Sequence, residues 1–287
     1  MFLKSFSFPS IDDEWAFFMK PRETVYDSYY PFQIIARERR TELEFAPVTI
    51  LYGENGSGKS TALNVIAGCL ELDRLSPYNQ TPFFADYLRE CGWLFDDEGL
   101  RGKMIITSDD VFDEMFRQRR HNRCVDAERD AVRSEYSGMR GAPFQMQSMD
   151  DLDALKKHIS ANRRSRSQYI REHLSRSNLR LHSNGESAIA FFSAHILEQG
   201  FYLLDEPENS LSPATQLELI RFLEEQARFF GCQFVIATHS PFVLSMPGAL
   251  IYNMDSEQIK PCKWTELPNV RAYYELFQRR KGEFAGS

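Results

Sequence analysis

Apolar and polar positions fall into blocks that predict a chain alternating between strands and helices. The run VTILY (48–52) is β-branched and apolar, and TALNVIAGCL (61–70) carries apolar residues at helical spacing. A strand therefore leads through the polar segment between them into a helix. PFQIIA (31–36) and GKMIITSDD (102–110) also read as strands, the second ending in acid. Further on, SAIAFFSAHIL (187–197) reads as a helix, FYLLDEP (201–207) as a buried strand and PATQLELIRFLEEQARFF (213–230) as a helix. CQFVIATHS (232–240) and ALIYNMD (249–255) complete the series as strands. The middle of the chain is different. From Val111 to about Tyr136 only a sparse seam of Val125, Val132 and Tyr136 interrupts arginine-rich sequence, which predicts a thin exposed helix. Gly138, Gly141 and Pro143 break it, and Asp150-Asp151 offers an N-cap for a second helical run through Leu152, Leu155, Ile159, Tyr169, Ile170 and Leu174. The pattern predicts an α/β core at 1–110 and 181–287 and a short antiparallel helical pair at 111–180. Each arm of that pair is at most roughly 35–45 Å long at ~1.5 Å per residue.

Composition narrows the class. At 287 residues with 43% apolar and 13% aromatic content, the chain has ample material for a buried core. The five cysteines are scattered without a CxxC pair, which reads as free thiols in a reducing, cytoplasmic compartment. MFLKSFSF lacks the apolar core of a signal peptide, and the most apolar stretch, 187–204, is interrupted by His195, Glu198, Gln199 and Gly200. No membrane span is expected. The net charge of −7 conceals an asymmetry, because residues 101–182 hold 17 Lys or Arg against 12 Asp or Glu, a local +5 that leaves −12 elsewhere. Such a basic segment suits either a solvated surface or an anionic partner.

Three strings carry the chemistry. GENGSGKS (53–60) fits G-x-x-x-x-G-K-[ST] and stands between a strand and a helix, the context that gives this motif its meaning. Backbone N–H groups of Gly53, Glu54, Asn55, Gly56, Ser57, Gly58 and Thr61 are candidates to cradle phosphates at the helix N-terminus, with Lys59 adding a point charge and the Ser60 hydroxyl reaching Mg²⁺. FYLLDEPE delivers Asp205 and Glu206 to a strand end, Asp205 toward the metal and Glu206 as the base for attacking water. An apolar run ending in Asp-Glu is common in isolation. Here Pro207 follows, and a second apolar strand ends in His239, placed to sense the γ-phosphate. In SNGES (183–187), Ser183 and Gly185 stand at a helix start, a ready anion site. The phosphate loop already occupies the near side of the nucleotide, so that second anion site serves a neighbouring subunit.

These motifs in this order resemble the ABC-type ATPases, over about 1–110 and 181–287. The signature reads His182-Ser183-Asn184-Gly185-Glu186 in place of the usual Leu-Ser-Gly-Gly-Gln, and ENSLSP (208–213) carries Ser212 where transporter subunits have aspartate. DEPE…LSP and ATHSP are similar to the SMC, RecF and OLD branch, especially its small stand-alone bacterial ATPases. The resemblance implies a P-loop NTPase fold of ABC ATPase-head type, a mixed sheet flanked by helices with a helical insert. It implies ATP and Mg²⁺ as cofactors, with Lys59, Ser60, Asp205, Glu206 and His239 acting in cis and Ser183 and Gly185 in trans. The family's glutamine between the first two motifs has Asp109 as its substitute, making Ser60, Asp205 and Asp109 the expected metal site. Tyr30 or Phe32 would stack on adenine.

OLD-type nucleases carry a nuclease domain after the ATPase, whereas 46 residues follow Pro241 here, without an acidic cluster. The expectation is an ATP-sandwiched homodimer that hydrolyses ATP and regulates a separate effector such as a nuclease, in DNA repair or anti-phage defence. Nucleic acid is a further expected partner, through the basic insert. The alternative is the nucleotide-binding subunit of a membrane transporter, which needs a coupling groove beside the missing glutamine.

Overall fold

The computed structural model describes residues 1–19, 28–145, 151–174 and 184–284. Contacts divide the chain into two units, Met1–Phe112 with Asn184–Ser287, and Asp113–Ser183.

The first unit is built on a six-stranded sheet and a small antiparallel sheet. In chain order its elements begin with β1 (Leu3–Phe8), α1 (Ile11–Phe18), β2 (Thr41–Glu44), β3 (Val48–Tyr52), α2 (Lys59–Cys69), α3 (Phe84–Glu90), β4 (Gly92–Phe95) and β5 (Gly102–Thr107). Helix α4 (Ser108–Met139) runs out into the second unit, which continues with α5 (Leu152–Arg163) and α6 (Arg166–His173). The first unit resumes with α7 (Asn184–His195), β6 (Gly200–Asp205), α8 (Pro213–Phe229), β7 (Gln233–Thr238), α9 (Pro241–Leu244), β8 (Leu250–Asn253), β9 (Pro261–Cys262), α10 (Pro268–Arg279) and α11 (Lys281–Phe284).

The large sheet runs β5-β6-β7-β3-β8-β9, parallel except for the β9 edge. β3 and β7 are buried at every position, and β6 at all but Asp205, the signature of a sheet covered on both faces. The strand ending at Thr238 lies between the strand that leads into the phosphate loop and the strand that ends in Asp205. This order sets the C-terminal ends of β3, β7 and β6 side by side, where ligands of open α/β sheets bind.

The small sheet, β2-β1-β4, is not anticipated from the apolar pattern. Its strands are short, and Phe6, Phe8 and Leu43 point from it into the core. A buried Gln233 ties it to the large sheet: its Oε1 accepts from the N–H groups of Phe2 and Leu3 at 2.8 and 2.9 Å, and its Nε2 donates to Leu3 O at 2.8 Å. A buried amide must satisfy both ends, and this one does so by stapling two sheets.

Two expected elements fold otherwise. PFQIIA forms turns rather than a strand, with Gln33 at φ 67° and its N–H donating to Glu14 Oε2 at 2.8 Å. Its apolar residues are explained by burial, since Phe32 and Ile35 are 3% and 1% exposed. The second arm of the insert, expected as one run from 152 to 174, divides at Arg164, which adopts extended backbone at φ −111°, ψ 155°. Ser165 then caps α6 in a reciprocal box with Gln168. Helix α4 spans 32 residues, about 48 Å at 1.5 Å per residue. Within the second unit, Val132, Tyr136, Ala161 and Tyr169 form a small core. Among the described residues no helix is long and apolar enough to cross a membrane.

Candidate functional site

The phosphate loop leaves β3 at Gly53 and enters α2 at Lys59. Its curvature needs glycine at two points. A Cβ on Gly53 would lie 2.3 Å from Ser57 Oγ, and Gly58 has φ 93°, a left-handed conformation that side chains disfavour. Glu54, Asn55 and Gly56 are exposed at the lip, while Lys59 and Thr61 are buried. Lys59 Nζ donates to Gly53 O at 2.7 Å and Glu54 O at 2.9 Å, so the lysine crosses the loop it belongs to. Asp255, in the turn after β8, braces the lip by accepting from Glu54 N at 3.0 Å through Oδ2. Ser57 Oγ is buried without a hydrogen-bond partner among the described residues. A tight backbone curl, a buried cation and an orphaned hydroxyl are a fitting cradle for the phosphates of ATP.

Ser60 Oγ donates to Asp205 Oδ1 at 3.0 Å, although 145 residues separate the two. Burial pushes the Asp205 carboxyl up to about 6; the Ser60 hydrogen bond opposes this, the charge of Glu206 adds to it, Lys59 opposes and Asp109 adds. A partly buried carboxylate pressed by two neighbouring carboxylates and touching a hydroxyl suits a hard divalent cation with oxygen ligands, so the residues fit Mg²⁺. Thr107 pairs in register with Asp205, which puts Asp109 just past the neighbouring strand end. Asp109 is exposed on the first turn of α4.

Glu206 follows with φ 47°, an uncommon backbone for a residue with a side chain, held by its N–H donating to Ala237 O at 2.9 Å. The turn aims its side chain at the end of β7, where Glu206 Oε1 lies 3.3 Å from His239 Nδ1. Both side chains reach solvent, Glu206 at 27% and His239 at 56% exposure. They line a cleft of about 1160 Å³ together with Gly53 and Glu54 of the loop and Tyr273 and Tyr274 of α10.

Gly185, Tyr30 and Phe32 have their described contacts elsewhere. Gly185 sits in the first turn of α7 against α8, so close that a Cβ would meet Thr215 Oγ1 at 2.5 Å. Ser183 falls outside the described residues. Of the two aromatics, Phe32 is buried between Phe17 (ring centroids 4.0 Å) and Tyr87 (4.9 Å), which leaves no face for adenine. Tyr30 is half-buried and packs on Phe84.

Several contacts escape sequence reasoning. Glu208 and Thr238 share a buried hydrogen bond, and Asn269 Nδ2, at the start of α10, donates to His239 O at 2.6 Å. Asp255 lies in the turn after β8, and nothing local in the sequence marks it as a brace for a loop 201 residues away. Only the acid in ENSLSP could have drawn attention to Glu208.

A protein-family profile described as "AAA domain, putative AbiEii toxin, Type IV TA system" matches residues 94–245, just over half of the chain. No curated protein matches the chain. Among solved structures, the SMC head domain from Thermotoga maritima is similar at 15% identity over 92% of this chain and 100% of its own, with a TM-score of 0.42. An SMC head bound to the C-winged helix domain of ScpA has a TM-score of 0.46 at 11% identity, over 91% of this chain and 98% of its own. A "putative metal-chelate type ABC transporter" in an inward-facing conformation covers 97% of this chain and 90% of its own at 17% identity and a TM-score of 0.39.

Proposed function

The chain belongs to that AAA-domain family, and from this premise we propose that it binds ATP in the loop 53–61 and hydrolyses it with Glu206 as general base and His239 as γ-phosphate sensor. The observation that carries the reading is the meeting of Ser60 with Asp205, and of Glu206 with His239, at one edge of the sheet. Lys59 and the loop N–H groups bind and orient the triphosphate, and the buried lysine charge acts where solvent screens it least. Mg²⁺, when bound, neutralises phosphate charge, and Ser60, Asp205 and Asp109 are the residues that would hold it. Glu206 takes the proton of the attacking water, and its partner His239 holds the carboxylate toward the cleft.

The reading extends to a homodimer. Ser183 and Gly185 would complete the site of a second copy, so ATP draws two chains together head to tail and hydrolysis releases them. The output passes to a separate effector, such as a nuclease, in DNA repair or anti-phage defence. The exposed arginines of the second unit, among them Arg117, Arg119, Arg120, Arg123, Arg163, Arg164 and Arg166, supply a surface for nucleic acid. Arg117 and Arg164 already pair with Glu114 and Glu172, which tempers that surface without neutralising it.

The test is Glu206→Gln in light scattering and in a turnover assay. ATP should double the mass of this variant, ADP should not, and phosphate release should stop. A variant that turns over at the normal rate removes Glu206 as the base. A variant that stays monomeric with ATP, or is equally dimeric without it, removes the sandwich.

A further inference from the structure

The acid three residues past Asp205 is unlike the other carboxylates of this edge. Glu208 is 5% exposed and leaves its Oε2 buried without a hydrogen-bond partner among the described residues. Burying a carboxyl in this way opposes folding. Its other oxygen, Oε1, accepts from the Thr238 hydroxyl. That hydroxyl in turn accepts from Ser240 N–H at 2.9 Å, so one side chain closes the turn on both sides of His239. The imidazole between these two anchored residues faces Glu206, with Nδ1 3.3 Å from Glu206 Oε1.

The same turn is tied to the loop after Glu206 by a second route. Ser240 Oγ donates to Gln216 Oε1 at 2.7 Å, and Gln216 Nε2 donates to Leu211 O at 3.0 Å. Loop 206–211 and turn 238–240 are therefore one hydrogen-bonded body. The backbone on the far side of the turn is held from elsewhere, by Asn269 on His239 O. The Glu208–Thr238 bond adds a direct side-chain link between the turn and the segment that carries Glu206, beside the Glu206 N–H on Ala237 O at 2.9 Å.

We propose that Glu208 is a positioning residue for ATP hydrolysis: by holding the Thr238 hydroxyl it fixes the turn that presents the His239 imidazole to Glu206. The contacting atoms carry the argument. A displacement of about 1 Å at a reacting group costs on the order of 100-fold in rate, so a turn loosened at Thr238 that lets the imidazole drift slows hydrolysis. Packing alone does not account for an acid here, because a glutamine would fill the same space without the cost of a buried carboxylate. The proposal rests on the assignment of Glu206 and His239 above.

The experiment measures kcat and KM for ATP, together with ATP affinity and thermal stability, in Glu208→Ala, Glu208→Gln, Thr238→Val and Thr238→Ser. Glu208→Ala and Thr238→Val should each lower kcat about tenfold or more with ATP affinity changed less than about threefold. The double variant should be no worse than either single one, since both remove the same bond. Glu208→Gln and Thr238→Ser keep an acceptor and a donor and should recover most of the loss. Thr238→Val preserves shape and β-propensity, so it remains informative even if Glu208→Ala fails to fold. Combining Glu208→Ala with His239→Ala separates this proposal from its premise. If His239→Ala alone is slow and adding Glu208→Ala slows it no further, Glu208 acts through His239. If His239→Ala turns over normally, the premise falls and the proposal with it. If His239→Ala is slow but Glu208→Ala and Thr238→Val are not, only the proposal is overturned. It is equally overturned if the losses in kcat, ATP affinity and stability run in parallel, or if the two single losses add.

Discussion

Charge is handled in opposite ways in the two units of this chain. At the sheet edge of the first unit Lys59 is buried and Asp205 and Glu206 are half-buried, and contacts join groups far apart in sequence: Asp205 with Ser60, the Glu54 N–H with Asp255, Glu206 with His239. In the second unit several charged pairs stand in solvent and close within one helical turn, as in Arg129 with Asp126, Arg133 with Asp130 and Lys156 with Asp153. The first arrangement exists only when the fold brings distant segments together, and it fixes each group to a fraction of an ångström. The second would form on any isolated helix and contributes solubility more than structure. A buried charge is therefore expected to be expensive to remove, and an exposed one nearly neutral.

Lys59→Ala should show the largest effect. The substitution removes a buried cation from the phosphates and two hydrogen bonds from the loop carbonyls. ATP affinity should fall about 100-fold or more in equilibrium titration. A loss below about fivefold would mean that the loop N–H groups carry the binding and that Lys59 serves only to shape the loop.

Asp205 sharpens the comparison with the opposite sign. Its folded-state value of about 6 lies above the ordinary carboxylate value of 3.8, so the folded protein holds this proton more tightly than the unfolded chain does. The contribution favours folding below about pH 4 and is lost as pH rises through about 6. At pH 8 the ionised carboxylate is a penalty that Asp205→Asn removes. The nucleotide-free variant should be more stable than the parent by about 1–2 kcal/mol at pH 8, and by less at pH 5. Thermal melts at both values check this, and hydrolysis should be lost in the same variant. Equal melting points at pH 8 would mean that the site relieves the charge in another way.

How far these features are legible in the sequence follows the same division. Strands β3, β6 and β7 and the loop between β3 and α2 are written locally, as apolar runs ending in glycine, acid or histidine. The partners that hold them are not. Gln233 staples Leu3 from 230 residues away, and no spacing rule reaches that far. PFQIIA reads as a strand because an apolar run cannot distinguish a ladder from a buried turn, and here Phe32 and Ile35 are buried without one. The break between α5 and α6 was available, since Ser165-x-x-Gln168 is a capping box, but it lies inside a helical seam that runs across it. Asp109 is expected from position alone, two residues past Thr107, which pairs with Asp205.

The basic helices allow a middle-sized test. Changing Arg163, Arg164 and Arg166 to Glu should lower affinity for labelled duplex or single strands by about tenfold at low salt and flatten its salt dependence, with ATP affinity unchanged. All three side chains are exposed, so the folded unit should tolerate the change. Absence of binding by the parent protein at low ionic strength would remove nucleic acid as a partner and leave an acidic protein as the occupant of this surface.

The smallest expected effect is also the cleanest control. Arg129 and Arg133 each sit three residues after an aspartate on α4, at 2.5 and 3.0 Å, with side chains that remain 33% and 45% exposed. Water competes for such pairs, and holding two long side chains in place costs entropy that offsets most of the attraction. Arg133→Ala should therefore change stability by no more than about 0.5 kcal/mol, and by less at high salt. Denaturant unfolding at low and high ionic strength provides the measurement. A loss of 2 kcal/mol or more would place this arginine in a network like those of the sheet edge, and the contrast between the two units would no longer hold.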